Sequence, residues 1–219
     1  NLIFLTGAAG TGKSTMLEHV RNQLDLKKMV VAPTGVAALN IGGSTINSAF
    51  RIGFETIPEI TKSKDPRFGK LLKNLELLII DEISMVRAPM LDAISQCLQI
   101  HRNSTEPFGG ISILACGDLF QLPPVVQSHE ENIIYSKYDS VYFFDAFSFK
   151  EIKNPIFFQL TKSFRQEDDH AFYELLNNIR LGIDLEQTVE RINKHCYDPT
   201  LEVEPFMTLT SRKNKAEDI

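Results

Sequence analysis

Gly7-Ala8-Ala9-Gly10-Thr11-Gly12-Lys13-Ser14 fits the pattern G-x-x-x-x-G-K-[ST], directly after the apolar run Leu2-Ile3-Phe4-Leu5 and directly before a helix-like segment. Strand, glycine-rich loop and helix in that order leave few folds open. The glycines let the backbone curl until successive N–H groups point inward at a phosphate, and the following helix offers the positive end of its dipole to the same anion. Gly7, Ala8, Ala9, Gly10, Thr11, Gly12, Lys13, Ser14 and Thr15 are therefore the expected cradle, with Lys13 reaching the β- and γ-phosphates and Ser14 holding Mg²⁺. A plain glycine-rich turn is the alternative.

The rest of the chain suits such a loop. Apolar strand-like runs recur at Leu2–Thr6, Met29–Ala32, Leu77–Asp81, Ile111–Gly117 and Phe157–Leu160, separated by helix-like segments. Continuous apolar runs are buried on both sides, so the expected class is α/β, a parallel sheet with helices on both faces and ligands at the carboxyl ends of the strands. Residues 53–74 are polar, with Pro58, Asp65-Pro66 and several lysines, and read as a surface excursion. Phe172, Leu175, Leu176, Ile179, Val189 and Ile192 recur at helical spacing, predicting two short helices broken at Gly182, and Phe206–Thr210 reads as a further strand.

With 219 residues, 43% of them hydrophobic, the chain can bury a real core. Its net charge of −5 offers no overall positive field, so any nucleic-acid contact must be made by a local groove. The three cysteines, Cys97, Cys116 and Cys196, are odd in number and far apart, which suits buried thiols in a reducing compartment better than disulfides or zinc. The five histidines show no metal-ligand spacing, and no apolar stretch approaches membrane length. The expectation is a soluble, intracellular protein with no membrane partner.

Leu77-Leu78-Ile79-Ile80-Asp81-Glu82 ends a buried strand in two acids, the Walker B form: Asp81 for the Mg²⁺ shell and Glu82 for the attacking water. Gly117-Asp118-Leu119-Phe120-Gln121-Leu122-Pro123-Pro124 follows the next apolar run, where Gln121 could sense the γ-phosphate and two prolines stiffen the exit; an ordinary loop would read the same. Arg165 closes the next strand exit and could serve as an arginine finger or merely be solvated. Ala32–Ala38 and Gly42–Phe50 place hydroxyls, amides and helix starts at strand ends. These could hold nucleic-acid phosphates or simply cap helices beside a glycine turn.

Taken in order, Gly7–Thr15, Ala32–Phe50, Ile79–Val86, Phe108-Gly109-Gly110 ahead of Gly117–Val125, and Leu160–Gln166 resemble the RecA-like P-loop ATPase lobe of RecD-like DNA helicases, most closely the petite integration frequency (PIF-type) family. The resemblance spans residues 2 to about 166. It implies ATP and Mg²⁺ as cofactors, movement 5′ to 3′ along single-stranded DNA, and separation of duplex junctions. It also implies catalytic roles for Lys13, Asp81, Glu82, Gln121 and Arg165, a metal role for Ser14 and Asp81, and DNA contacts at Thr34, Gly35, Thr45, Asn47 and Ser48. Family members generally carry histidine where Asn47 stands and a bulkier residue where Ala49 stands.

The resemblance further implies a division into a RecA-like lobe over 1–166, a helical connection over 167–205, and the truncated start of a second RecA-like lobe over 206–219, the protein being a monomer. It would work in the cytoplasm of a bacterium or in the nucleus or mitochondrion of a eukaryote. A two-lobe motor closes around ATP, so this lobe by itself is expected to bind ATP–Mg²⁺ weakly and turn it over little. Two other readings compete: a nucleotide-gated module that holds single-stranded DNA or a partner without motor work, and a small-molecule kinase, in which GDLFQLPPV has no place.

Overall fold

The computed structural model describes residues 1–164 and 170–196, and the chain divides into two compact units, Asn1–Asp168 and Asp169–Ile219. The first unit is built on six strands: β1 (Leu2–Gly7), β2 (Lys28–Ala32), β3 (Ser44–Thr45), β4 (Leu77–Ile80), β5 (Ser112–Gly117) and β6 (Ile156–Leu160). They lie in the order β3-β2-β4-β5-β1-β6, and every pairing is parallel. The carboxyl ends of β1, β4, β5 and β6 therefore share one edge.

The helices of this unit are α1 (Lys13–Gln23), α2 (Gly35–Asn40), α3 (Ile46–Phe50), α4 (Pro66–Asn74), α5 (Ala88–Arg102), α6 (Ser128–Tyr135) and α7 (Phe147–Lys150). Strand alternation sorts the apolar residues into two layers. Leu2, Phe4, Val31, Leu78, Ile80, Ile113 and Ala115 join one core with Leu91, Ile94 and Leu98 of α5, whereas Leu5, Leu77, Ile79, Leu114 and Cys116 join the other with Leu17 of α1. All four residues of β4 are buried, which is why its sequence is unbroken Leu and Ile. The α/β expectation, with helices on both faces, is met. Cys97 and Cys116 are free, buried thiols; the side chain of Cys196 lies outside the described residues.

Two local readings need correction. The supposed excursion over 53–74 ends in α4, where the Asp65 carboxylate accepts from the Arg67 N–H at 2.9 Å, Pro66 takes the first turn, and Phe68 and Leu72 are buried. Its high polarity hid a narrow apolar stripe. The two-residue β3, too short to register as an apolar run, also escaped the sequence reading.

The second unit contains α8 (His170–Leu181) and α9 (Leu185–Cys196). The predicted break stands at Gly182, whose φ of 70° lies in the left-handed region, and Leu175 and Thr188 are buried. The expected strand at Phe206–Thr210, and with it the start of a second lobe, lies outside the described residues.

Candidate nucleotide site and neighbouring groove

A cleft of about 1060 Å³ opens at the carboxyl edge of the sheet. It is lined by the loop from Ala9 to Thr15, by Asp81 and Glu82 past β4, by Gln121 past β5, and by Leu160 and Phe164 at and past β6. Residues scattered over more than 150 positions meet there because parallel strands deliver all their exits to one side.

The loop is shaped by its glycines and its own polar contacts. Gly12 has φ 85°, a left-handed conformation that side chains resist, and its turn starts α1 with Lys13 as first residue. A Cβ at Gly7 would stand 2.8 Å from the Leu160 carbonyl oxygen and 2.6 Å from Thr11 Oγ1. The Thr11 hydroxyl donates to the Ala8 carbonyl at 2.8 Å, and the Lys13 ammonium donates to the Gly7 and Ala8 carbonyls at 2.7 and 3.1 Å. Lys13 is thus folded back over the loop mouth, a cation held by neutral oxygens that a phosphate would outcompete. The Phe164 N–H donates to the Gly10 carbonyl at 2.8 Å, tying the segment after β6 to the cradle.

Two acids line the same cleft, Asp81 and Glu82, and a third, Asp118, acts on Glu82 from nearby. Asp81 is only 6% exposed, and burial pushes its carboxyl up, against the Glu82 N–H donated to it at 3.0 Å and the neighbouring Cys116 thiol. Burial likewise pushes Glu82 up, and Asp81 and Asp118 add to the effect while Lys13 opposes it. Burial also drives the Cys116 thiol far above its usual range, so it remains a neutral donor to Asp81. Glu82 has φ 50°, a left-handed conformation costly for a side-chain-bearing residue and often tolerated where function fixes it.

Sequence reading placed Gln121 here but gave no part to Asp118. That residue is 1% exposed, accepts from the Phe120 N–H at 3.1 Å and from the Gln121 side-chain amide at 3.3 Å, and so aims the glutamine. The signal was an acid directly after a strand-ending glycine, overshadowed by the more reactive-looking neighbour. Arg165 lies outside the described residues.

Thr34 and Asn47 meet in a second groove of about 370 Å³, walled by Phe54 and Val125 and floored by Arg87 and Glu130. Gly35, Thr45 and Ser48 do not line it. Thr34 Oγ1 accepts from the Ala37 N–H at 3.2 Å to cap α2, and Thr45 Oγ1 accepts from the Ser48 N–H at 3.3 Å to cap α3. Asn47 spends its amide on the Ile52 and Gly53 carbonyls at 3.1 and 2.9 Å. Each threonine hydroxyl still has its own proton to donate. Beneath them the Glu130 carboxylate takes the Arg87 guanidinium at 2.6 Å, the Gln127 N–H at 3.0 Å and the Thr56 hydroxyl at 3.1 Å.

Known proteins resemble this chain in sequence and in fold. Residues 1–190 match the family described as PIF1-like helicase. The ATP-dependent DNA helicase RRM3 of Saccharomyces cerevisiae is 37% identical over 88% of this chain and 27% of its own length, and the human ATP-dependent DNA helicase PIF1 is 37% identical over 82% of this chain and 27% of its own. The Bacteroides Pif1 helicase solved with ADP-AlF₃ and single-stranded DNA superposes over the whole of this chain and 52% of that one, with a TM-score of 0.88 at 37% identity. Pif1 helicase from Candida albicans superposes with a TM-score of 0.71 at 33% identity, over 88% of this chain and 43% of that one. The chain spans about a quarter of the length of these curated relatives and about half of the solved helicases. The parallel sheet is therefore RecA-like, and this chain belongs to the PIF1-like helicase family.

Proposed function

We propose that this chain is the ATP-binding lobe of an ATP-dependent DNA helicase that moves 5′ to 3′ along single-stranded DNA. One observation carries the nucleotide half of the reading: the loop of Gly7–Thr15, the acid pair Asp81-Glu82, and a Gln121 aimed by Asp118 converge on a single cleft. The DNA half is supported by the family and by a Bacteroides relative solved with single-stranded DNA.

Loop N–H groups and Lys13 bind the phosphates of ATP, since an anion exchanges the ammonium's neutral carbonyl partners for charge-assisted bonds. The donors present fit Mg²⁺. The Ser14 hydroxyl and the Asp81 carboxylate are hard oxygens lining one cleft, and a nearby cation would offset the burial that disfavours the charged aspartate. When bound, Mg²⁺ neutralises charge developing on the phosphates. Glu82 takes the proton of the attacking water, and its raised proton affinity brings it nearer to the working range of a general base. Gln121 orients that water and reports whether the γ-phosphate is present, and Arg165 stabilises the transferring group. A second RecA-like lobe of the same polypeptide closes the cleft, so the 219 residues alone bind ATP–Mg²⁺ weakly and turn it over slowly. Thr34, Gly35, Thr45, Asn47 and Ser48 lie beside the strand path, the threonines contributing hydroxyl protons left over from capping.

The test is made in a chain carrying both lobes. Glu82→Gln is expected to keep affinity for a fluorescent ATP analogue while DNA-stimulated phosphate release falls by about 10²–10⁴-fold. Lys13→Ala is expected to lose about 1.5–3 kcal/mol of nucleotide affinity. Normal turnover by both variants would remove these residues from the site, and persistent DNA-independence of the parent would favour a nucleotide-gated binding module over a motor.

A further inference from the structure

A third groove, of about 630 Å³, lies at the amino-terminal edge of the sheet, away from the nucleotide cleft. Lys27, Lys28 and Met29 form one wall, at the start of β2. Arg67, Lys70 and Leu71 of α4 form the other, with Asn74 and Leu75 at its end. Four cations and no carboxylate line it, in a chain of net charge −5. Leu71 is 50% exposed, Met29 is half-buried, and the aliphatic stems of the lysines continue this apolar floor.

The cations differ in their commitments. The Lys28 ammonium donates to the Arg21 and Leu24 carbonyls and closes the end of α1. The Lys27 and Lys70 ammonium groups and the Arg67 guanidinium have no carboxylate partner among the described residues. The nearby Glu76 carboxylate accepts the Lys27 backbone N–H at 2.9 Å, and Asp65 is taken by Arg51 at 2.8 Å and by the start of α4. Among the described residues, β3 pairs only with Val31 and Ala32 of β2, and no strand lies outside Lys28 and Met29.

We propose that this groove docks a short acidic peptide segment of a partner protein that carries a bulky apolar side chain. The charges suit the acids, the floor at Leu71 and Met29 suits the apolar group, and the stretch of β2 without a described outer strand suits an extended main chain. A nucleic-acid backbone would use the cations and leave the apolar floor unfilled, so the peptide is the better match.

The proposal is independent of the nucleotide reading and is tested separately. A fluorescein-labelled peptide of alternating Asp and Glu closed by Phe is titrated with the protein, followed by anisotropy, beside the same peptide in Asn and Gln. Saturable binding is expected for the acidic peptide, weakening as salt rises. The exposed double change Lys27→Glu/Lys70→Glu is expected to weaken it on the order of tenfold while nucleotide affinity stays at the parent level. Leu71→Ser is expected to weaken the Phe-ended peptide and leave a Gly-ended one unchanged. Absence of saturable binding, equal affinity of the charge-reversed variant, or lysine-dependent displacement of the peptide by an oligo(dT) strand would overturn the proposal.

Discussion

The nucleotide cleft and the groove between Thr34 and Asn47 open on the same side of one sheet, yet they spend their polar groups differently. In the cleft, Lys13, Asp81 and Glu82 are crowded together, with two carboxyls pushed up by burial and a glutamate held at φ 50°. In the groove, the Thr34 oxygen and the Asn47 amide are already engaged in capping a helix and bracing a loop. The first region stores chemical potential in unfavourable placement; the second is locally content and offers a shape with spare protons. Under the proposed function the difference is intelligible, since hydrolysis needs perturbed groups, whereas a sliding strand needs only shallow, replaceable contacts.

The largest effect is expected from a single methyl group in the cradle. Gly7→Ala sets a Cβ against the Leu160 backbone and should cost about 1–3 kcal/mol of stability together with most of the nucleotide affinity, read by thermal melting with and without ATP analogue. A Gly7→Ala protein that melted and bound like the parent would show that the cradle tolerates what its packing forbids.

Glu130→Gln probes the groove's floor and should cost on the order of 2–3 kcal/mol at neutral pH. The Gln127 N–H first, then the Arg87 guanidinium, hold the Glu130 carboxyl down at about 2, below the ordinary 4.5. With the folded value depressed, the stabilisation is present above the unfolded value and is lost as pH falls through the window between the two. Urea midpoints of parent and variant should therefore converge between about pH 4.5 and 2. A gap unchanged across that window would mean that the charge contributes nothing.

Smaller effects sharpen the contrast. Thr34→Ala and Thr45→Ala should each cost about 1 kcal/mol through the lost cap, with ATP affinity unchanged and DNA affinity lowered only slightly. Gly35→Ala, whose Cβ would meet nothing within 4 Å, should be neutral or stabilising by about 0.4–1 kcal/mol. A large loss of DNA binding from either cap variant would give the groove a more specific role than shape.

Much of the cleft was legible because its residues announce themselves through dense local patterns. A loop that wraps an anion needs glycines at set spacing, and a strand buried on both faces must be apolar until its last acidic turn. The break at Gly182 was visible for a similar reason, since a left-handed residue ends a helix locally. Helix α4 was not, because its two buried residues, Phe68 and Leu72, sit in a segment whose charges face solvent. Asp118 was passed over because its part is to hold another side chain, and holding has no signature of its own.

The glycine-rich loop, the acid pair after β4 and the alternation of strand and helix follow from the order of residues alone, as consequences of short-range sterics and of burial on two faces. It took the folded chain to set that the Phe164 N–H closes on Gly10, that Asp118 aims Gln121, that Thr34 and Thr45 spend their oxygens as caps, and that four cations gather round an apolar floor at the far edge. Three of these join residues far apart in the chain or fix which neighbour a side chain faces, and the caps depend on where a helix begins. Such outcomes follow from the strand order and the packing of each helix on its sheet face, which local pattern constrains but does not specify.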